Sequence, residues 1–158
     1  MTLYQENLVE NLISQIFCRL APSEIDGIGV IAIKDIPKDT EVFNICNEML
    51  EDIIELTDED LDGLDNSISN YIQDFFIKEE SGIWALPAGG LNSLNISFFL
   101  NHSDTPNLSP ELSHGYATWK SNRLITVGEE LTNDYRLLGP SNELVKQFPW
   151  LFTNPFIS

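Results

Sequence analysis

The apolar positions of this chain follow two patterns, short β-branched runs along most of the sequence and helical spacing in three segments. Leu8, Leu12, Ile13 and Ile16 fall on one helical face and predict a short helix over residues 2–16. Many short strands with two or three helices predict a β-rich α+β fold. The other predicted elements are two helices, Ser67–Glu79 and Ser141–Phe148, and six strands, Ile28–Ile33, Glu41–Ile45, Ile83–Leu86, Ile96–Leu100, Tyr116–Trp119 and Leu124–Val127.

The length and composition fit one folded domain. The chain has 158 residues, of which 42% are hydrophobic and 21% are charged. This hydrophobic content can fill one core, and it argues against wholesale disorder. The side chains of the helix at 67–79 that we expect to face this core are Ile68, Tyr71, Ile72, Phe75 and Phe76.

The negative charge is large and unevenly distributed. The formal net charge is −17, and residues 1–65 hold 16 acidic and three basic residues, against nine and five in residues 66–158. Nine of the acids lie between Glu48 and Asp65, where interspersed apolar residues predict an amphipathic surface element. A strongly acidic surface repels nucleic acid and anionic membranes. It indicates a basic partner or, more simply, a requirement for solubility.

The cysteines and histidines do not form a metal-binding pattern. Cys18 and Cys46 are too few for a disulfide framework or a four-cysteine zinc site, and we expect both thiols to be reduced and half-buried. His102 and His114 are twelve residues apart with no cysteine near either. The N-terminal segment lacks the basic region and continuous apolar stretch of a signal peptide, and no run reaches the ~18 apolar residues that cross a bilayer. We therefore expect a cytoplasmic protein, with secretion into another cell by a signal-independent route left open.

The acidic segment Asp58–Gly63 has the alternating acids and the glycine of a calcium-binding loop. The twelfth position of such a loop should be a bidentate glutamate, and it is Ser69 here. The eighth position is normally apolar, and it is Asp65. A solvated acidic surface explains the segment better, so we predict no metal site, and a calcium-responsive protein is the weaker alternative.

Three short segments carry the candidate chemistry. The glycines of Gly27–Gly29 would let the backbone approach a ligand closely, although a tight turn into a strand explains them more simply. Phe98–Asn107 runs an apolar strand into a polar loop that Pro-Asn closes, and Gly128–Tyr135 ends an apolar run with paired acids and a tyrosine. Each segment alone can be an ordinary turn. Their order and spacing favour a shared function.

Together the three segments resemble the SET-domain family of protein lysine methyltransferases. APSEIDGIGVIAIKDIPKDTEVF is similar to the opening segment of the family, FLNHSDTPN to its R-F-x-N-H-S-x-x-P-N segment, and ITVGEELTNDY to its G-E-E-L-x-x-D-Y segment. The resemblance implies a SET domain over residues 21–136, after an N-terminal helix and lead-in over 1–20 and before a C-terminal helix and aromatic tail over 137–158. Residues 45–90 would be the variable insert that helps form the substrate side. Without zinc-binding cysteine clusters, the chain resembles the compact bacterial or viral members.

The resemblance also implies a fold, a cofactor and the residues that bind it. The fold would consist of small curved sheets with a few short helices and a C-terminal pseudoknot, and the cofactor would be S-adenosylmethionine. The backbone around Gly27, Ile28 and Gly29 would hold the methionine end of the cofactor. Asn101 and His102 would hold its amino-acid and adenine parts, His102 largely through its main chain.

The matched tyrosine is the implied catalytic residue. Tyr135 would stand at the point of methyl transfer, where its hydroxyl can orient an amine without carrying a charge at neutral pH. Glu130 and Asp134 would brace the pseudoknot. The substrate would be a lysine in a basic protein, histone-like or ribosomal, which the acidic charge of the chain favours.

Several positions depart from the family pattern. Phe98 replaces a common arginine, and Ile45 and Leu137 stand where the family has aromatic residues. Ile45, Leu137 and Trp150 are our candidate substrate-binding residues; Trp150 would cover the cofactor or substrate, and packing in the core explains it equally well. The reduced aromatic set leaves an alternative open, a non-catalytic SET-like module that binds a basic protein with or without the cofactor.

Overall fold

The computed structural model describes residues 2–44, 53–113, 116–138 and 141–152, without the side chains of 112, 113, 116, 117 and 141. The chain divides into two compact units. Unit 1 contains the described residues up to 44 together with Asn95–Asp134, and unit 2 contains residues 53–94 together with the described residues from Tyr135 onward.

The described part of the chain contains α-helices, β-strands and short 3₁₀ helices. The strands are β1 (Cys18–Pro22), β2 (Ile28–Ala32), β3 (Ile53–Leu56), β4 (Trp84–Pro87), β5 (Asn101–His102), β6 (Leu108–Ser113), β7 (Tyr116–Ser121) and β8 (Glu130–Asn133). The α-helices are α1 (Leu3–Ser14), α2 (Asn66–Phe75) and α3 (Ser141–Gln147), and the 3₁₀ helices are Leu91–Ser93, Ile96–Phe99, Tyr135–Leu137 and Pro149–Leu151.

Unit 1 is built on a four-stranded sheet with the order β1-β2-β8-β5. β1 and β2 pair antiparallel along their full lengths, and β2 pairs antiparallel with β8. β5 pairs parallel with β8, with Asn101 opposite Thr132 and His102 opposite Asn133. The last strand of the sheet in sequence therefore lies inside it, between strands from two distant segments.

A second, two-stranded sheet in unit 1 joins β6 to β7. Single bridges connect Ile36 to Ile125 and Glu41 to Lys120. Burial of apolar surface between these elements drives their association. The buried apolar side chains of unit 1 include Val30, Ala32, Ile36, Val42, Leu100, Leu108, Trp119, Ile125 and Leu131.

Unit 2 combines the antiparallel pair of β3 and β4 with α2 and α3. Asp65 caps α2, because its Oδ1 accepts a hydrogen bond of 2.8 Å from the Ser67 N–H. The Gln147 side chain links α3 to the end of α2 by donating from Nε2 to the carbonyl oxygens of Gln73 and Phe76. Among the described residues of this unit, the buried apolar ones are Ile72, Phe76, Trp84, Leu86, Leu144 and Leu151.

Helix α1 is capped but buries no residue. Thr2 and Gln5 form a reciprocal capping box at its start. At its other end Lys34 places Nζ near the Ile13 carbonyl oxygen and 4.4 Å from the centre of the Phe17 ring. Within the described ranges, no helix is both long and apolar enough to span a membrane.

The three predicted helices and three of the predicted strands are confirmed. The helices occur at Leu3–Ser14, Asn66–Phe75 and Ser141–Gln147, and the strands at Ile28–Ala32, Trp84–Pro87 and Tyr116–Ser121. Cys18 is more buried than expected, and burial raises the pKa of its thiol to about 11. Cys46 and His114 lie outside the described residues.

The strand predicted over Ile96–Leu100 is wrong, because Ile96–Phe99 is a 3₁₀ helix. Asn95 precedes it, and its Oδ1 accepts hydrogen bonds from the Ser97 N–H at 2.9 Å and from the Ser97 hydroxyl at 2.6 Å. Asparagine side chains that bond to nearby backbone in this way compete with strand pairing. The local turn therefore prevails over the apolar run that follows it.

Two further strand predictions are wrong for the residues described. Leu124–Val127 makes only the bridge at Ile125, because the chain then turns and the Glu129 N–H bonds to the Thr126 carbonyl at 3.0 Å. The segment 41–44 makes only the bridge at Glu41, and the rest of that prediction, including Ile45, lies outside the described residues.

The inward face predicted for α2 is too wide. Within the helix Ile72 is buried, whereas Ile68 is 43% exposed and Tyr71 is 38% exposed. Phe76 is also buried, but it follows the helix as its C-cap and has an extended backbone. Tyr71 instead packs its ring edge-to-face against Phe75 at a centroid distance of 5.2 Å.

Candidate functional site

The G-x-G segment follows a tight turn that Ser23 organises. The Ser23 N–H donates to the Gly27 carbonyl at 3.1 Å, and the Ser23 Oγ accepts from the backbone N–H groups of Ile25 at 2.8 Å and Asp26 at 3.2 Å. Gly27 has a φ of +51°, in the left-handed region that favours glycine, and a Cβ there would meet no atom within 4 Å. The turn thus presents an open backbone surface at Gly27.

The Asn101 side chain joins this turn to β5. Its Nδ2 lies 3.0 Å from the Ser23 Oγ, 3.0 Å from the Asp26 carbonyl oxygen and 2.8 Å from the Glu130 Oε1. Because every one of these neighbours can accept a hydrogen bond, the orientation of the amide is determined. The amide hydrogens are therefore committed to the protein, and the Oδ1 of Asn101 is the atom it can offer to a ligand.

The carboxylate of Glu130 contacts Ser23 in the turn and lies beside Gly29, the second glycine of the motif. Each oxygen of its carboxylate lies 2.9 Å from the Ser23 Oγ. A Cβ built on Gly29 would lie 2.7 Å from the Glu130 Cδ and 3.0 Å from the Ser23 Cβ. The second glycine of the motif is therefore required for the close approach of Glu130.

His102 lies between two carboxylates. Its Nε2 is 3.5 Å from the Asp104 Oδ1, and its Nδ1 is 3.8 Å from the Asp134 Oδ1. The side chain of Asp134 is 15% exposed and that of Asp104 is 78% exposed. Asp134 therefore brings the end of β8 close to the motif histidine of β5.

The final asparagine of the Phe98–Asn107 motif secures β8. Asn107 is buried, and its Nδ2 donates to the Glu130 carbonyl oxygen at 2.8 Å while its Oδ1 accepts from the Thr132 N–H at 2.9 Å. One side chain thereby satisfies two backbone groups of the strand that carries Glu130. Asn133 in the same strand is also buried, but its Oδ1 has no hydrogen-bond partner.

The catalytic and substrate-side candidates that the structure describes belong to unit 2. Tyr135 opens a 3₁₀ helix, and the centroid of its ring lies 6.1 Å from that of Phe148. The Phe148 ring packs edge-to-face on Trp150 at a centroid distance of 6.4 Å. Trp150 is 55% exposed, and Leu137 is 53% exposed. Unit 2 therefore groups Tyr135 with two aromatic side chains, and Leu137 adds an exposed aliphatic group one residue beyond Arg136.

The carboxylates of the calcium-like segment bond within unit 2. Asp58 pairs with Lys78 and accepts from the Trp84 indole N–H at 3.0 Å, which holds the pKa of Asp58 below its usual range. Asp60 accepts from the backbone and hydroxyl of Thr57, and these bonds likewise lower its pKa. Asp65 caps α2. The structure thus assigns local structural roles to three of these acids.

The residues of unit 1 fit the methionine end of S-adenosylmethionine. Its ammonium group needs hydrogen-bond acceptors, and the turn offers the Asn101 Oδ1, backbone carbonyl oxygens and the Glu130 carboxylate. The open surface at Gly27 allows a close approach to the backbone. The donor and acceptor chemistry of this arrangement is therefore compatible with the cofactor.

Comparisons with known proteins identify the family. The SET domain family model matches residues 27–136, which is more than half of the chain, so the protein belongs to the SET-domain family. It is thus a methyltransferase-type module, and its several small sheets and few helices form the β-rich α+β SET fold. The C-terminal pseudoknot stays a prediction. No curated protein matches the chain.

Two solved structures are similar to the chain. One is a Plasmodium falciparum protein proposed to be a histone methyltransferase, 17% identical over 77% of this chain and 94% of that chain, with a TM-score of 0.48. The other is a humanized mutant of the Chaetomium thermophilum Polycomb Repressive Complex 2 bound to an inhibitor, 18% identical over 89% of this chain and 19% of that chain, with a TM-score of 0.55. At these identities the second likeness supports the fold alone.

The structure brings Gly27, Ile28 and Gly29 together with Asn101, and their part in cofactor binding stays a prediction. Ile45 lies outside the described residues. Sequence reasoning missed Ser23, although a serine that opens a turn before Asp-Gly is a known signal for a side chain bonded to local backbone. Its bond to Glu130 joins residues 107 positions apart, which no local signal reveals.

Proposed function

We propose that the protein transfers a methyl group from S-adenosylmethionine to the side-chain amine of a lysine in a basic protein. One observation carries this proposal. The N-H-S and E-E-L-x-x-D-Y segments lie side by side as the parallel strands β5 and β8, and Asn101 joins them to the G-x-G turn through the Asp26 carbonyl oxygen. Three segments with a shared family resemblance thus support one ligand-binding surface.

In this proposal the turn and β5 hold the cofactor. The backbone of Gly27, Ile28 and Gly29 binds the methionine end, and the Asn101 Oδ1 accepts a hydrogen bond from its ammonium group. His102 contributes mainly through its main chain. When bound, the cofactor would supply a methyl group activated on a sulfonium; a neutral amine that accepted it would become a methylammonium, and the sulfur would leave as a neutral thioether.

Tyr135 is the residue we propose at the methyl-transfer point. A lysine amine has an ordinary pKa of about 10.4, so it must lose a proton before it can act as a nucleophile. Apolar surroundings favour the neutral amine, and the rings of Phe148 and Trp150 provide apolar surface in the unit that contains Tyr135. The Tyr135 hydroxyl then orients the amine by a hydrogen bond.

The acidic surface supports a basic substrate. In the described part of the segment 48–65, Glu55, Glu59 and Asp62 are exposed carboxylates. Exposed apolar side chains accompany them, with Ile54 at 46% and Leu64 at 38% exposure. We propose that a lysine-rich peptide docks on this surface, with Leu137 and Trp150 among the residues that contact it.

Transfer of a labelled methyl group to a panel of basic proteins tests the proposal. Wild-type protein should label at least one of them, and Tyr135→Phe should reduce the rate by about a hundredfold, since the hydroxyl acts in a step that needs alignment. Tyr71→Phe is the matched control, because Tyr71 lies in the same unit and packs on Phe75. Full activity of Tyr135→Phe would refute the role of Tyr135.

The alternative function predicts a different outcome of the same experiment. A non-catalytic SET-like module would bind a basic protein and transfer no methyl group. The exposure of Leu137, where the family has an aromatic residue, favours this alternative. Tight binding of a basic protein by a wild-type chain that labels none of the panel would support it and refute methyl transfer.

A further inference from the structure

The side chains of Glu130 and Ser23 form a clamp behind the G-x-G turn, here called the Ser23–Glu130 clamp. We propose that Glu130 is a positioning residue that fixes this turn and that its negative charge selects a cationic ligand, S-adenosylmethionine over the neutral thioether S-adenosylhomocysteine. The inference rests on the proposed function, because that proposal supplies the cofactor. The family resemblance assigns Glu130 only to bracing the pseudoknot, and the inference adds the contact with the G-x-G turn and a source of selectivity.

The geometry of the clamp supports the positioning role. The Ser23 hydroxyl contacts both carboxylate oxygens of Glu130 at 2.9 Å while accepting from the backbone of the turn. The Asn101 Nδ2 reaches the same carboxylate at 2.8 Å. Glu130 packs directly against the backbone of the motif, so that no side chain would fit on Gly29. A change at Glu130 therefore removes contacts that hold the turn against β8.

The charge of Glu130 supports the selectivity. Within the described ranges, no lysine, arginine or histidine nitrogen lies within 4.0 Å of its carboxylate. Its partners Ser23 and Asn101 are neutral donors, and the residue is only partly exposed. A partly buried charge is costly unless an opposite charge accompanies it. A ligand that carries an ammonium and a sulfonium group would supply that opposite charge.

A purely structural role makes a different prediction. If Glu130 only braced the fold, its loss would weaken the binding of both ligands equally, since both share the adenosine and amino-acid parts. If its charge also acts on the additional positive charge of the sulfonium, the loss must weaken S-adenosylmethionine more, because the ammonium group is common to both ligands. The ratio of the two dissociation constants therefore distinguishes an action of the Glu130 charge on the ligand from a purely structural role of the residue.

The experiment measures both dissociation constants by calorimetry, with no methyl acceptor present. Glu130→Gln keeps the shape and one acceptor, and it should weaken S-adenosylmethionine about tenfold and S-adenosylhomocysteine about twofold. Ser23→Ala should weaken both equally, by a few-fold, because it loosens the turn without removing a charge. Glu130→Asp keeps the charge and should preserve the ratio while weakening both ligands. Glu129→Gln, at the neighbouring residue, is the matched control and should bind both as wild type does.

Two outcomes would overturn the inference and can be told apart. Equal weakening of both ligands by Glu130→Gln, in a variant whose thermal unfolding matches that of Glu130→Asp, would leave Glu130 as a brace only. Wild-type affinity of Glu130→Gln for both ligands would refute the clamp altogether. If wild-type protein binds neither ligand, the proposed function itself fails, and the role of Glu130 in selecting the cofactor fails with it.

Discussion

Gly29 and Glu130 are in such close contact that a methyl group on Gly29 would overlap the carboxylate carbon of Glu130, at 2.7 Å. The two residues lie on adjacent strands of one sheet, β2 and β8. The glycine therefore serves the packing of the protein itself, besides any contact with a ligand. This distinguishes it from Gly27, whose requirement comes from its positive φ.

Substitution of the two glycines should consequently have unequal effects. Gly27→Ala should lower the free energy of unfolding by roughly 1 kcal/mol, the cost of a left-handed alanine with open space around it. Gly29→Ala should cost about 2–4 kcal/mol, because Glu130 must leave its bonds to Ser23 and Asn101. Urea unfolding of each variant measures the difference.

A double mutant checks the cause. Gly29→Ala should cost much less in a Glu130→Ala background than in the wild type, since the overlapping carboxylate and its bonds are then already absent. Strictly additive effects of the two substitutions would contradict the contact.

Asn107 should contribute more to stability than its size suggests. Asn107→Ala removes one buried and one part-buried hydrogen bond to β8 and leaves the Thr132 N–H and the Glu130 carbonyl without that partner. We expect a loss of about 2–4 kcal/mol in the free energy of unfolding, measured with chemical denaturant. Asn122→Ala is the control, because Asn122 is exposed and donates to the Pro106 carbonyl at 3.0 Å. A loss no larger than that of the control would show that Asn107 does not secure β8.

For Asn133, whose buried side-chain oxygen has no hydrogen-bond partner among the described residues, we predict the opposite effect of substitution on stability. A buried carbonyl without a hydrogen bond is unfavourable, so Asn133→Leu, which is similar in shape and apolar, should leave stability unchanged or raise it by about 1 kcal/mol. Thermal unfolding measures the change. A marked decrease would mean that the amide of Asn133 makes a favourable interaction in solution.

Glu129 should stabilise the folded protein at neutral pH and lose this contribution in acid. Hydrogen bonds from Arg123 and Thr126 lower the pKa of Glu129 to about 2. Its unfolded pKa is higher, at an ordinary value of about 4.3, so its contribution is present above that pH and is lost as the pH falls towards 2. Because Glu129 is about a third exposed, we expect no more than about 1 kcal/mol.

The matched measurement compares thermal unfolding of wild type and Glu129→Gln between pH 2 and pH 6. The two melting temperatures should differ above pH 4.5 and converge at the acidic end. A constant difference across this range would contradict the assignment.

Salt should weaken the encounter with a basic substrate. The net charge of −17 attracts a lysine-rich peptide over distances that salt screens, with a Debye length of about 10 Å at 0.1 M. Catalytic efficiency on such a peptide should fall as ionic strength rises, mainly through a slower association. Efficiency on a neutral peptide with one lysine is the control, and an equal response of both peptides would refute electrostatic guidance.

The sequence predicted those parts of the fold that depend on local spacing. Leu8 and Leu12 repeat at the helical period and lie in α1, and the β-branched run from Ile28 lies in β2. The 3₁₀ helix at Ile96–Phe99 was missed because a capping asparagine, Asn95, overrides the apolar run behind it. Local patterns thus predict an element reliably only where no polar side chain competes for its backbone.

The candidate site was predictable by resemblance but not in its contacts. Asn101 and Glu130 belong to matched motifs, yet the pairing of Glu130 with Ser23 depends on how three distant strands meet. The burial of Asn107 follows from the same sheet order. Such contacts arise from tertiary packing, which residue spacing does not encode.

The interior position of β8 also determines when the proposed ligand-binding surface can form during synthesis. β2 and β5 are made before β8, and each pairs with β8 and not with the other, so the sheet cannot join them until residues 130–133 have left the ribosome. Pairings over such long separations are slow to form. A nascent chain that stalls before Glu130 therefore holds two of the three motifs and cannot assemble them.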